Sequence, residues 1–173
     1  MSASVTISRR YRGPPNSGNG GYVCGVMAEA LGGSHVEVTL LAPPPLQLPL
    51  TLDCKGDEAT LLDGARTIAV ARVTDEPLTI ADDAPPAVGY LEAVDAAAVF
   101  DVDAYQETHE YPGCYTCGPD RDEGDGLRIF PAATDRPDRY VWPWTPAPSL
   151  FGGSGDLHVA VVWAALDLSL IHI

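Results

Sequence analysis

Between Asn16 and Gly33, the residues Tyr22, Val23, Val26, Met27, Ala30 and Leu31 recur at helical spacing. They make one apolar stripe wide enough to bury. The stretch opens on small and amide residues, which suit a helix start and leave backbone N–H groups accessible. It closes on Gly32 and Gly33, which supply the positive φ that helix C-termini favour. Gly25 falls inside the predicted helix at a cost of about 1 kcal/mol against Ala, and close packing is the reason the pattern offers for it. Glu29 follows one turn later, at the edge of the stripe.

Around this helix the pattern changes to period two. Val5 and Ile7 alternate with polar residues in a short strand from Ser4 to Ser8. Val36, Val38 and Leu40 alternate with Glu37 and Thr39 until Pro43 to Pro45 stop the strand. Leu48, Leu50, Leu52 and Cys54 make the next, where Pro49 implies that pairing begins after it or that the strand lies on an edge. Glu58 to Asp63 and Arg66 to Thr74 flank a turn at Gly64, and the second of them, most continuously apolar, is expected to be central. One helix inside a blanket of antiparallel strands is an α+β fold.

Asp75 to Tyr90 is acidic and proline-bearing, a surface connection, and Leu91 to Phe100 favours a short helix. Asp101 to Gly113 reads as a polar linker and carries the expected domain boundary. Beyond it come a Cys-x-x-Cys loop, a turn from Asp122 to Gly126, strands at Leu127 to Pro131 and Arg139 to Trp144, and a helix from Gly155 to Asp167.

Composition narrows the function classes. The 173 residues carry 24 acidic against 10 basic side chains, a net charge of −14. That field opposes nucleic acid, anionic membrane surfaces and polyanionic ligands unless local arginines override it. Arg9, Arg10, Arg12, Pro14 and Pro15 break any secretory apolar run, and Val159 to Leu166 is far short of a membrane span, so a cytoplasmic protein is expected. Four cysteines, only Cys114 and Cys117 closely spaced, are expected to be reduced thiols. The pair is half of a zinc ribbon at best; Cys24, Cys54 and the isolated His35, His109 and His158 do not complete four ligands. No metal or cofactor is expected, and His158 on an apolar helix reads as a satisfied core residue.

Gly18 to Leu31 aligns without gaps to Gly153 to Leu166, sharing a glycine opening, apolar spacing and an Ala-Leu exit. This is either a duplication or the chance similarity of two alanine-rich helices. Together with Val36 to Pro43, Leu48 to Leu50, Cys114 to Asp120, Gly124 to Phe130 and Val162 to Asp167, it resembles the tandem, or double, hotdog proteins of the acyl-CoA thioesterase superfamily. The resemblance implies a first hotdog over residues 1–100, a linker over 101–113 and a partial second hotdog over 114–167. The six residues from Leu168 to Ile173 equal the translation of a sequencing-library transposon end and are read as a non-native tail, which removes His172 from every site argument. A second helix without its own sheet cover is expected to expose Val161, Val162 and Leu166 and to favour a homodimer or aggregation.

The resemblance also implies the chemistry. In hotdog thioesterases a backbone N–H at the helix start polarises the thioester carbonyl, and an acid two turns later in the helix acts as base or nucleophile. Carried onto this chain, Gly20 and Gly21 become the oxyanion donors and Glu29 the acid. The family often has His-Gly-Gly where this chain has Asn19-Gly20-Gly21, so the register is open by one residue, and Glu29 reads equally as a solvated edge residue. Ala164 stands where the repeat would place a second acid, with Asp167 as a later substitute, so a single site is expected. Asp156 reads as a helix-start residue. Asn19, Tyr22 and Arg12 are the expected substrate contacts, with an acyl-CoA or acyl-carrier thioester as substrate. The reading from another class is a hotdog that binds an acyl thioester or lipid without catalysis.

Overall fold

The computed structural model describes residues 1–33, 35–76, 79, 86–136 and 139–171, the last four as helix backbone only. Much of the expected connection from Asp75 to Tyr90 and the end of the expected tail lie outside the described residues. Five antiparallel strands form one sheet: β1 (Ser2–Thr6), β2 (Val36–Leu40), β3 (Pro49–Lys55), β4 (Glu58–Asp63) and β5 (Arg66–Val73). Their order across the sheet is β1-β3-β4-β5-β2. Helix α1 (Gly20–Leu31) connects β1 to β2 and lies on one face of this sheet.

Period-two burial explains the face. Leu50 and Leu52 of β3, Ala59 and Leu61 of β4, and Ile68, Ala69 and Ala71 of β5 point at Val23 and Met27 of α1, which are wholly buried. Ile68 and Ala69 can both face inward because the β4–β5 register shifts between Leu61 and Leu62, a bulge that adds one residue to β5. Strand β5 is interior as expected, but β4 takes the central position. Pro49 is the first residue of β3, opposite Thr6 at the end of β1, where its missing N–H costs least. Asn19 caps α1 by accepting the Tyr22 N–H at 2.8 Å, and Gly32, at φ 66°, ends it.

The second half departs further from its pattern. Helix α2 (Tyr90–Ala98) matches the expected short helix, but the expected linker holds a further helix, α3 (Val102–Thr108). Asp101 caps α3 through the Ala104 N–H at 2.9 Å, and Tyr105 turns in against Phe100 and Phe130. No strand forms over 127–131; among the described residues of this half, the strands that pair are the two-residue β6 (Ala132–Ala133) and β7 (Tyr140–Val141). Backbone donors of the expected strand go elsewhere: Leu127 N–H to Tyr115 C=O at 2.8 Å and Ile129 N–H to Thr116 C=O at 2.9 Å. Pro131 and Pro143 supply no donor to a ladder.

Helix α4 (Val159–Ile171) starts later than expected, leaving Asp156 and His158 exposed ahead of it; His158 is not a core residue. Val161 is buried against Tyr115, Leu127, Ile129 and Leu150, contrary to the exposure expected of it, whereas Val162 is 38% and Leu166 68% exposed. No helix among the described residues is long and apolar enough to cross a membrane.

Helices α1 and α4 run antiparallel in close contact, because α1 presents glycine where α4 crosses it. A Cβ on Gly21 would fall 2.5 Å from Asp167 Cβ and 2.5 Å from the Trp163 carbonyl oxygen. One on Gly25 would fall 2.5 Å from Ala160 Cα. Backbone on the far side cannot yield as a flexible side chain can, so added volume forces the helices apart. Gly25→Ala gains about 1 kcal/mol of helix propensity yet is expected to lose about 1–3 kcal/mol net by overpacking. Urea unfolding of the variant should show a lower midpoint than wild type; a higher midpoint would mean that the helices do not meet at Gly25.

Candidate functional site

The start of α1 is built by backbone bonds from the loop before it. Gly18 N–H donates to Pro44 C=O at 2.8 Å and Asn19 N–H to Tyr11 C=O at 2.8 Å. This leaves the Asn19 side chain, 2% exposed, to do two things. Its Oδ1 caps the helix, and its Nδ2 donates to Thr116 Oγ at 3.3 Å. Thr116 in turn donates to the Ala164 carbonyl at 2.9 Å. A side-chain relay thus runs from the first turn of α1 through the Cys-x-x-Cys loop to α4.

Gly21 N–H is one of the donors a helix start leaves unpaired. It donates to Asp167 Oδ2 at 3.0 Å. A carboxylate there is favoured by the positive end of the helix dipole and by the N–H itself. Asp167 also lies close enough to Cys24 to matter electrically: burial first, and then that carboxylate, push the Cys24 thiol up to about 11. Gly20 is adjacent; a Cβ added there would fall 3.5 Å from Asp167 Oδ2 and 3.2 Å from Leu40 Cδ1.

The structure therefore brings together Asn19, Gly20, Gly21 and Asp167. It does not bring Glu29 to them. Glu29 is exposed near the end of α1, eight positions and about 12 Å along the axis from Gly21. The antiparallel crossing carries it toward the opposite end of α4. Tyr22 stacks on Tyr11 with ring centroids 3.8 Å apart, and Tyr115 meets both edge-on. Burial, and then the neighbouring Tyr11, push the Tyr22 hydroxyl well above its ordinary value, so it is a neutral donor at any physiological pH. Arg12 is half-buried with its guanidinium laid on Gly113, while its carbonyl accepts the Tyr115 N–H at 2.7 Å.

Arg10 and Arg121 clamp the loop from Gly113 to Asp125. Arg121, 7% exposed, donates to Gly113 C=O, Arg10 C=O and Asp125 Oδ2, so its buried charge is fully engaged. Arg10 reaches Gly124 C=O at 2.8 Å and Asp125 C=O at 3.0 Å. An aromatic cleft of about 450 Å³ opens beside this loop, lined in part by Arg128, Phe130, Trp142 and Trp144.

Cys114 and Cys117 lie buried in the same loop. The Cys114 thiol is pulled down to about 6: a hydrogen bond from the Cys117 thiol outweighs burial, helped by the Cys117 and Thr116 N–H groups and by Arg121. Cys117 is correspondingly pushed up. No group of three or more His, Cys, Asp or Glu among the described residues is placed to hold a metal ion.

Sequence reasoning found the α1 terminus but passed over Thr116, and it weighed Asp167 only as a late substitute. Asp167 stands opposite Gly20 and Gly21, and Thr116 between Asn19 and the Ala164 carbonyl, places visible only once the helix crossing is known. No family model, curated protein or solved structure matches the chain.

The thiols predict a pH profile. Cys114 has a folded pKa of about 6 against an ordinary 9.0, so the unfolded chain binds more protons between those values. Its contribution to stability is full above pH 9, falls as the pH drops, and is gone below about 6. Above pH 9 the raised Cys117 and Cys24 reverse the slope. Urea midpoints of wild type should therefore rise from pH 6 to 9, and Cys114→Ser should flatten that rise while Cys24→Ser leaves it. An equal rise in Cys114→Ser would remove the thiolate from the account.

Proposed function

We propose that this chain is a tandem hotdog protein of the thioesterase type, taking an acyl-CoA or acyl-carrier thioester at the start of α1. The observation that carries the reading is the Gly21 N–H held against the Asp167 carboxylate at 3.0 Å. The helix between the first two strands, the sheet order β1-β3-β4-β5-β2 and the antiparallel α1–α4 pair also support it, since two hotdogs packed as a dimer would bring their helices together.

The chemistry follows from the contact. A thioester carbonyl oxygen that displaces Asp167 from Gly21 gains an N–H donor and the helix dipole at the atom where negative charge develops. The displaced carboxylate is then beside the carbonyl carbon. It takes a proton from water as that water attacks, or it attacks directly and leaves an anhydride for water to open. The thiolate leaves without strong acid assistance because thiols ionise near neutral pH. Tyr22, within the stack of Tyr11 and Tyr115, forms a narrow wall suited to short or aromatic acyl groups. Arg12 is the cation closest in sequence to the helix start, and its half-burial on Gly113 leaves one face for a phosphate.

The same contact supports a second reading. An Asp167 that stays on Gly21 is a helix cap, and the protein then binds an acyl thioester without turning it over.

A panel of short and aromatic acyl-CoAs separates these readings. Asp167→Asn should lower kcat by a factor of about 10² or more with binding nearly unchanged, the usual effect of removing a positioned base. Glu29→Gln should leave turnover within about twofold of wild type, because Glu29 is exposed and Asp167 already holds the Gly21 N–H. Equal turnover in Asp167→Asn and wild type would remove Asp167 as base, and a large loss in Glu29→Gln would restore the helical acid the resemblance implies. Binding without hydrolysis in every variant selects the non-catalytic reading, and no binding at all overturns both.

A further inference from the structure

We propose that Cys114 and Cys117 are a redox-active dithiol that hydrogen peroxide or a comparably small hydroperoxide closes to an intraloop disulfide. The loop geometry is suited to this. Cys114 C=O accepts the Gly118 N–H at 2.9 Å, so both cysteines lie within one turn, where the Cys117 thiol hydrogen-bonds to Cys114. Turn ends lie within about 7 Å between Cα atoms, and disulfides bridge about 4.4–6.8 Å, so closure needs little backbone movement. Gly118 fixes the turn from behind, since a Cβ there would fall 2.4 Å from Pro112 C=O and 2.5 Å from Cys114.

His109 decides between dithiol and metal chemistry. Its Nδ1 accepts the Tyr111 N–H at 2.9 Å, so the neutral ring carries its proton on Nε2. Nε2 lies 3.3 Å from Cys117 Sγ and donates to it. A metal at Nε2 would need that proton gone, and the proton could not move to Nδ1 without facing the Tyr111 N–H. Metal-binding histidines instead donate from their second nitrogen. The ring thus holds Cys117, the partner thiol, in place beside Cys114.

Burial selects the oxidant. Cys114 is 5% and Cys117 4% exposed, which admits a peroxide and hinders a bulky disulfide. The Cys114 thiolate attacks one peroxide oxygen, the O–O bond breaks, and hydroxide leaves with sulfenic acid on Cys114. Cys117 sulfur then attacks Cys114 sulfur, the S–S bond forms, and the sulfenic oxygen leaves as water with the Cys117 proton. The net change is two thiols and one peroxide to one disulfide and two waters, with sulfur oxidised and peroxide oxygen reduced.

Closure reaches beyond the loop because the two residues inside the ring are Tyr115 and Thr116. Tyr115 meets Tyr11 and Tyr22, and Thr116 joins Asn19 to the Ala164 carbonyl. Thiol state is thereby coupled to the α1–α4 junction, whether or not the junction hydrolyses thioesters.

The test treats the whole folded chain with equimolar hydrogen peroxide near pH 7, quenches in denaturant with an alkylating agent, and maps the peptides. The expected result is a peptide ending at Arg121 that is two hydrogens lighter and reopened by a dithiol reductant, with Cys24 and Cys54 still alkylated. Cys117→Ser should stop at a sulfenic acid trapped by a cyclic 1,3-dione, and Cys114→Ser should react at least about tenfold more slowly. Oxidation should also slow hydrogen exchange at Gly21 and Tyr22. Sulfinic acid without a disulfide, prior oxidation of Cys24 or Cys54, or inert thiols in wild type would each overturn the assignment. Stoichiometric zinc that protects both thiols would also overturn it. Unchanged exchange at Gly21 and Tyr22 would overturn the coupling. If either serine variant fails to fold, the wild-type peptide map decides alone.

Discussion

The close approach of α1 and α4 is the constraint on which the rest of the structure depends. It exists because Gly21 and Gly25 present bare backbone to Ala160, Trp163 and Ala164. Without that approach Asp167 could not reach the Gly21 N–H, and Thr116 could not span from Asn19 to the Ala164 carbonyl. The helix propensity lost at two glycines is offset by contact with a second helix on one side while Val23 and Met27 fill the sheet on the other. A single helix thus belongs to two cores, one of aliphatic side chains from the sheet and one centred on Tyr115.

That double burial is why the first half was legible in the sequence. Strands buried on one face alternate, and a helix buried on a stripe repeats at 3.6, so both periods appear between Val5 and Val73 with boundaries close to those observed. Glu58–Asp63 coincides with its expected limits, and Gly20–Leu31 falls inside the stretch from Asn16 to Gly33. The position of β4 at the centre was not legible, because apolar continuity in β5 comes partly from the bulge that turns Ile68 and Ala69 inward together. The second half hides its structure for a different reason. Leu127 and Ile129 alternate like a strand, yet their N–H groups bond the loop at Tyr115 and Thr116, and no period in the sequence encodes a partner so placed.

The site was half legible. Asn19, Gly20 and Gly21 announce themselves as a capped glycine-rich helix start, and local rules suffice for that. Asp167 is invisible to local rules, since its role depends on a crossing between segments far apart in the chain. Glu29 shows the converse: its place along one helix made it attractive, but it is exposed, and the carboxylate held against the Gly21 N–H is that of Asp167. The thiol loop follows the same logic, with Cys-x-x-Cys legible as spacing and the His109 contact to Cys117 legible only in three dimensions.

The central claim is that the Gly21 N–H is held by the Asp167 carboxylate across the helix crossing, and amide NMR tests it directly. In wild type the Gly21 amide proton should resonate downfield and exchange slowly, as expected of a charge-assisted donor. In Asp167→Ala it should move upfield and exchange at least about tenfold faster, while the exposed turn amide of Gly56 stays where it was. A Gly21 amide indifferent to the loss of Asp167 would contradict the account.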